Sequence, residues 1–132
     1  MKLPRRQLLH LTAAAAVLPA VSRFAGAQSY PARAVHLVEG FGAGGAPDIV
    51  ARLIGQSLSE QLGQSVIIEN RSGASGSIAT EAVVRASPDG YTLLLVTTAN
   101  AVNATMFKLN FDFIRDVAPV AGIVRVPLVM EV

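Results

Sequence analysis

Gly42, Gly44 and Gly45 fall within four positions, between an apolar extended segment (Val35 to Gly40) and a long amphipathic one (Ile49 to Leu62). The run Phe41-Gly42-Ala43-Gly44-Gly45-Ala46-Pro47-Asp48 therefore occupies a strand-to-helix junction. Glycine there leaves the backbone free to adopt positive φ and to approach a ligand without intervening side chains. The helix that follows directs its unpaired N–H groups and positive dipole end into the corner. A corner of this kind suits an anion.

Two periodicities alternate along the rest of the chain. Val35 to Glu39 reads as a strand, and Asp48 to Leu62 as a helix with Val50, Leu53, Ile54, Leu58 and Leu62 at helical spacing. Pro47 suits the first turn and Gly63 the residue just past the end. Val66 to Glu69 reads as a second strand, and Ser77 to Ala86 as a second helix with Ile78, Ala82, Val83 and Ala86 on one face. Ser87-Pro88-Asp89-Gly90 has the order of a type I turn. Tyr91 to Val96 gives a third strand, followed by a polar bend at Thr97-Thr98-Ala99-Asn100. Strands alternating with helices imply right-handed βαβ units and a parallel sheet, an α/β fold. Ligands bind beyond the carboxyl ends of such strands. Three polar or glycine-rich loops are expected on that edge: Phe41–Asp48, Asn70–Gly76 and Thr97–Asn100.

The N-terminus carries an export pattern. Lys2, Arg5 and Arg6 precede an apolar stretch from Leu8 to Val21, and Ala25-Gly26-Ala27 is a small-x-small cleavage site. The apolar stretch falls short of the roughly 20 residues needed to span a bilayer. Residues 1–27 are read as a cleaved signal peptide, with Arg5-Arg6-Gln7-Leu8-Leu9 resembling a twin-arginine signal and an ordinary Sec signal as the other reading. The whole chain has 11 basic and 9 acidic residues. Four of the basic ones lie in the signal, so residues 28–132 hold 7 basic against 9 acidic. No Lys/Arg cluster remains to favour nucleic acid or an anionic membrane surface. There is no Cys, which removes thiolate chemistry and disulfides. The apolar run Ile123 to Val132 would leave an unpaired strand if the protein ended there, so the chain is read as the N-terminal part of a longer protein.

Several chemistries fit the residues poorly. Gly42-Ala43-Gly44 and Glu69 echo a dinucleotide fingerprint, but Pro47 stands at the third glycine position. No Lys-Ser/Thr follows the glycines, as a P-loop needs. Gly73-Ala74-Ser75-Gly76-Ser77 misses the final glycine of a nucleophile elbow. His36 is the one histidine after the signal and lies in the first strand, and the scattered acids form no metal constellation. Asp48 is expected to stabilise the helix dipole and to orient the glycine loop. Arg71 suits a carboxylate clamp or a pairing with Glu69. Asn70, Ser72 and Ser75 are placed to donate to a ligand or to cap the second helix, and Phe41 to wall the pocket or join the core.

Six segments in register resemble the periplasmic solute receptors of the tripartite tricarboxylate transporter family, also called Bug receptors. They are Tyr30-Pro31-Ala32-Arg33, Phe41 to Asp48, Glu69 to Ala74, Ser87 to Leu94, Thr97 to Asn103, and Asp116 to Val120. The resemblance implies a type II periplasmic binding protein, two α/β lobes closing on a small carboxylated solute. Residues 28–132 would form the N-terminal part of the first lobe, the remainder being absent. It also implies a non-enzymatic receptor without cofactor or metal, passing an organic di- or tricarboxylate to membrane transporter subunits. Carried over by position, the ligand-binding residues would be Ala43, Gly44, Gly45 and Asp48, then Ala74, Ser75 and Gly76, then Thr97, Thr98 and Asn100. Gly40 stands where the family commonly has proline, and Ser75 where glycine is usual. One lobe alone is expected to bind weakly or not at all. An exported NAD(P)-dependent oxidoreductase is the alternative, and an interaction fragment without a ligand is a third.

Overall fold

The computed structural model of the chain describes residues 29–125. The export signal read at residues 1–27 lies outside them, as do positions 126–132 of the C-terminal apolar run. Ile123, Val124 and Arg125, which begin that run, are exposed and form no strand.

Strand β1 spans Val35–Glu39, helix α1 Ala46–Leu62 and strand β2 Val66–Asn70. A tight turn at Ala74–Gly76 leads into α2, Ser77–Val84, then β3, Thr92–Leu94. Helix α3, Thr98–Met106, and the single turn α4, Phe113–Asp116, follow. The strands are parallel in the order β2-β1-β3. The chain steps from β1 to one side and then crosses to the other. Right-handed crossovers therefore place α1 and α2 on opposite faces. The order reverses between β1 and β3, where open α/β sheets form their binding crevice.

In both helices small residues are the most deeply buried, while most of the larger apolar residues marked by the spacing are half-buried and Leu53 and Ile78 are exposed. In α1 the buried residues are Asp48, Ala51 and Gly55, while Leu53 is 64% exposed. Small residues win because they let the helix lie close to the sheet: a Cβ on Gly55 would come within 2.8 Å of Ile68 Cδ1. Ala51 packs in the core with Leu37 and Leu95, flanked by Val66, Ile68 and Leu93. In α2 the buried pair is Ala79 and Thr80, and Ile78 is half exposed, its Cδ1 lying over Gly73. Helix α1 stops at Gly63, whose φ of 66° suits glycine and whose N–H donates to Ser59 O.

The third loop differs most from expectation. Thr97–Asn100 is the start of α3 and not a bend. Asn100 Oδ1 accepts the Thr97 N–H (2.8 Å) and the Thr97 hydroxyl (2.9 Å), and this reciprocal closure starts the helix. Strand β3 is shorter than Tyr91–Val96, and α2 ends at Val84 instead of Ala86.

Candidate functional site

All three strands end on one edge, so the loops after Glu39, Asn70 and Leu94 share it. The first two meet backbone to backbone, and the third reaches the second through the Asn100 side chain. A Cβ on Gly40 would fall 2.5 Å from Gly76 Cα, and one on Gly76 would fall 3.1 Å from Asn100 Nδ2. The end of β1, the second loop and the start of α3 therefore form one packed layer over the β1/β3 crevice.

The first loop is open to its surroundings. A Cβ on Gly42 or Gly44 would meet nothing within 4 Å, and Gly44 takes φ of 85°. A turn is closed by Gly45 N–H to Gly42 O at 3.3 Å. Gly44 N–H donates to Asp48 Oδ2 at 2.8 Å, so this amide is occupied inside the protein. Asp48 is buried and fully engaged: Oδ2 also accepts Arg52 Nε (2.9 Å), and Oδ1 accepts Asn70 Nδ2 (2.9 Å). The Arg52 guanidinium, then the Gly44 and Asn70 donors, hold its carboxyl well below the usual carboxylate range. Asp48 thus fixes the loop, as its sequence position suggested.

Glu39 extends this network. It is fully buried at the end of β1, accepts Phe41 N–H at 2.8 Å, and shares the Asn70 amide with Asp48. Asn70 is therefore neither a cap for α2 nor a free donor. Ser72 and Ser75 do not cap it either: Gly76 precedes the helix, with no side-chain bond to its first turn. Arg71 pairs with Glu69 at 2.8 Å, and Glu69 also meets His36 Nδ1 at 2.5 Å. Of the two roles Arg71 suggested, the pairing is the one seen. A separate cleft of about 270 Å³ on the α2 face is lined by these three residues with Arg33 and Thr92. Phe41 is half-buried.

The second loop carries the least ordinary backbone. Gly73, Ala74, Ser75 and Gly76 all have positive φ, of 131°, 46°, 52° and 90°. Left-handed backbone costs a non-glycine residue roughly 1–2 kcal/mol, so Ala74 and Ser75 hold it only because their surroundings impose it. Gly76 N–H closes the turn on Gly73 O at 3.0 Å. Asn103 Nδ2 reaches Ser75 O (2.9 Å), Ala74 O (3.3 Å) and Ser77 Oγ (3.2 Å). Asn100 Nδ2 donates to Thr80 Oγ1, and that hydroxyl donates to Gly76 O, both at 3.0 Å. With their carbonyls held from behind, the Ala74 and Ser75 amides make no hydrogen bond among the described residues. Thr98 is exposed and Thr97 half-buried beside this turn.

Glu39, Thr80 and Asn103 are site-building residues that sequence reasoning passed over. Glu39 carried a signal, an acid ending an apolar strand directly before the glycines. Asn103 did so only once a helix begins at Thr98, which puts it one turn beyond Asn100.

Comparison with known proteins bears on this edge. A family model described as the tripartite tricarboxylate transporter family receptor matches residues 50–132. A UPF0065 protein of Bordetella bronchiseptica is 44% identical over 108 residues, covering 80% of this chain and 32% of the relative. Protein BugT of Bordetella pertussis is 37% identical, covering 79% of this chain and 33% of the relative. The chain thus spans about a third of the length of these relatives. A solved structure described as a periplasmic transporter superposes with a TM-score of 0.59 at 38% identity, over 64% of this chain and 29% of that one. The R. palustris protein Rpa4515, solved with adipate, gives a TM-score of 0.50 at 49% identity, over 51% of this chain and 22% of that one.

Proposed function

The chain belongs to the tripartite tricarboxylate transporter receptor family, and from that premise we propose that it supplies one wall of a periplasmic cleft that captures a small organic dicarboxylate. The observation that carries this reading is the left-handed turn Gly73–Gly76 at the β1/β3 crevice, with the Ala74 and Ser75 amides uncommitted. Backbone N–H groups hold a carboxylate without needing a cation. On this reading Ala43, Gly45, Ala74, Ser75 and Gly76 line the site with Thr97 and Thr98 beside them, while Gly44, Asp48 and Asn100 act by fixing the loops. A relative solved with adipate supports a dicarboxylate as the solute class.

The remaining wall corresponds to the two-thirds of the relatives that this chain does not span. Closure of both walls on the solute then presents the receptor to the membrane subunits of the transporter. Residues 1–27 would direct export by the twin-arginine route and be removed near Ala27. A dinucleotide oxidoreductase is not favoured: Gly44 N–H is occupied by Asp48, and Glu69 by His36 and Arg71.

Titration calorimetry tests the reading. A chimera in which residues 29–125 replace the matching segment of the Bordetella bronchiseptica relative should bind a dicarboxylate such as adipate saturably. The chain alone should bind it at least about tenfold more weakly, because half of the contacts are missing. A folded chimera that binds no mono-, di- or tricarboxylate would overturn it.

A further inference from the structure

Helix α3 turns two buried asparagines, Asn100 and Asn103, toward the second loop, and each is only 4% exposed. They stand one turn apart and therefore share a helix face. Asn103 places a single NH₂ group against the Ala74 and Ser75 carbonyls and the Ser77 hydroxyl. These are the carbonyls of the two non-glycine residues that have positive φ among the described residues. A residue held in left-handed backbone reverts to ordinary backbone unless its groups are bonded where they stand.

We infer that Asn103 is the positioning residue of the carboxylate site: it locks Ala74 and Ser75 in the left-handed turn and so aims their amides into the crevice. Asn103 itself touches no solute. Its amide faces the carbonyl side of the turn, and its effect passes through the peptide planes of residues 74–76. Asn100 works in parallel through Thr80 Oγ1 and Gly76 O, which bonds the turn at its far end. The inference rests on the reading of this edge as a carboxylate site, but the lock itself is testable without any solute.

The decisive variant is Asn103→Asp, which keeps shape and turns the donor into an oxygen facing two carbonyls. Amide hydrogen exchange on the unliganded full chain should show the Gly76 N–H, bonded to Gly73 O, exchanging about tenfold faster or more. Amides in β1 and α1 should keep their protection. Adding Ser75→Gly removes the penalty for left-handed backbone at position 75 and should return part of the lost protection. Unchanged exchange at Gly76 in Asn103→Asp would overturn the lock. So would loss of protection throughout the chain without recovery in the double variant, since that marks an ordinary core residue. Where Asn103→Asp unfolds the protein, Asn103→Ser, which keeps a donor at shorter reach, supplies the same comparison. In the chimera with adipate as probe, Asn103→Asp should weaken binding by roughly tenfold, with partial recovery on adding Ser75→Gly. A lock that holds in a chimera binding no carboxylate would refute the site and leave the lock standing.

Discussion

Gly40 and Gly76 meet backbone to backbone, so closely that a Cβ on Gly40 would lie 2.5 Å from the Gly76 Cα. Neither residue is close in sequence to the other, yet this contact decides where the second loop can sit. It rests the left-handed turn directly on the end of β1 and leaves Asn100 on its other side.

Gly40→Ala should therefore destabilise the protein by about 1–3 kcal/mol, the usual cost of forcing atoms into a packed site. The atom it meets is backbone and cannot swing aside. Gly42→Ala, at a position with nothing within 4 Å, should change stability by less than about 0.5 kcal/mol. Urea unfolding of both variants gives the comparison. Equal stabilities would mean that the two loops do not pack as described.

Ser75→Gly should act in the other direction. Ser75 holds φ of 52°, a conformation glycine adopts without steric cost. The relief of roughly 1–2 kcal/mol exceeds the entropy glycine loses on folding, roughly 0.5–1 kcal/mol. A net gain of about 0.5–1 kcal/mol is expected, read as a higher urea midpoint with unchanged m-value. The sequence resemblance, in which glycine is usual at this position, agrees with that sign.

Much of this architecture is legible in the sequence because it rests on local signals. Alternating periods locate β1, α1, β2 and α2, and Gly63 marks the end of α1. The shared loop edge follows from parallel topology alone. What escapes is set by contacts between distant residues. Leu53 lies on the outside of α1 because Ala51 and Gly55, not the larger residues, fit against Ile68. The start of α3 reads as a bend because Thr97-Thr98-Ala99-Asn100 is polar, and its reason to be helical is a side-chain closure that composition does not display. The positive φ of Ala74 and Ser75 has no local signal, since the residues that impose it lie on α3.

Export offers a prediction that depends on the first 27 residues alone. Replacing both Arg5 and Arg6 by lysine keeps the charge of the signal but removes the guanidinium pair that distinguishes the twin-arginine route. Processed protein should then disappear from the periplasmic fraction, read by immunoblot of fractionated cells. Undiminished processing would assign export to the Sec route and leave the cleft untouched.

Asp48 should make stability sensitive to acid. Its folded carboxyl is held below the ordinary value of 3.8 by Arg52, Gly44 and Asn70, so folding favours the charged form. The stabilisation is complete above the unfolded value and declines as pH falls through the folded one. The loss accordingly begins near pH 4 and continues below it. Asp48→Asn removes this dependence: it should be less stable than the parent at neutral pH, and the difference should narrow steadily below about pH 4. Glu69 and Asp116 are also lowered, by Arg71 and Arg115, and slope both proteins alike, so subtracting the two urea-unfolding curves isolates position 48. A difference that stays constant down to about pH 2 would mean the Asp48 carboxylate is not what pins the glycine loop, and Gly44 would then have to be held by its own backbone.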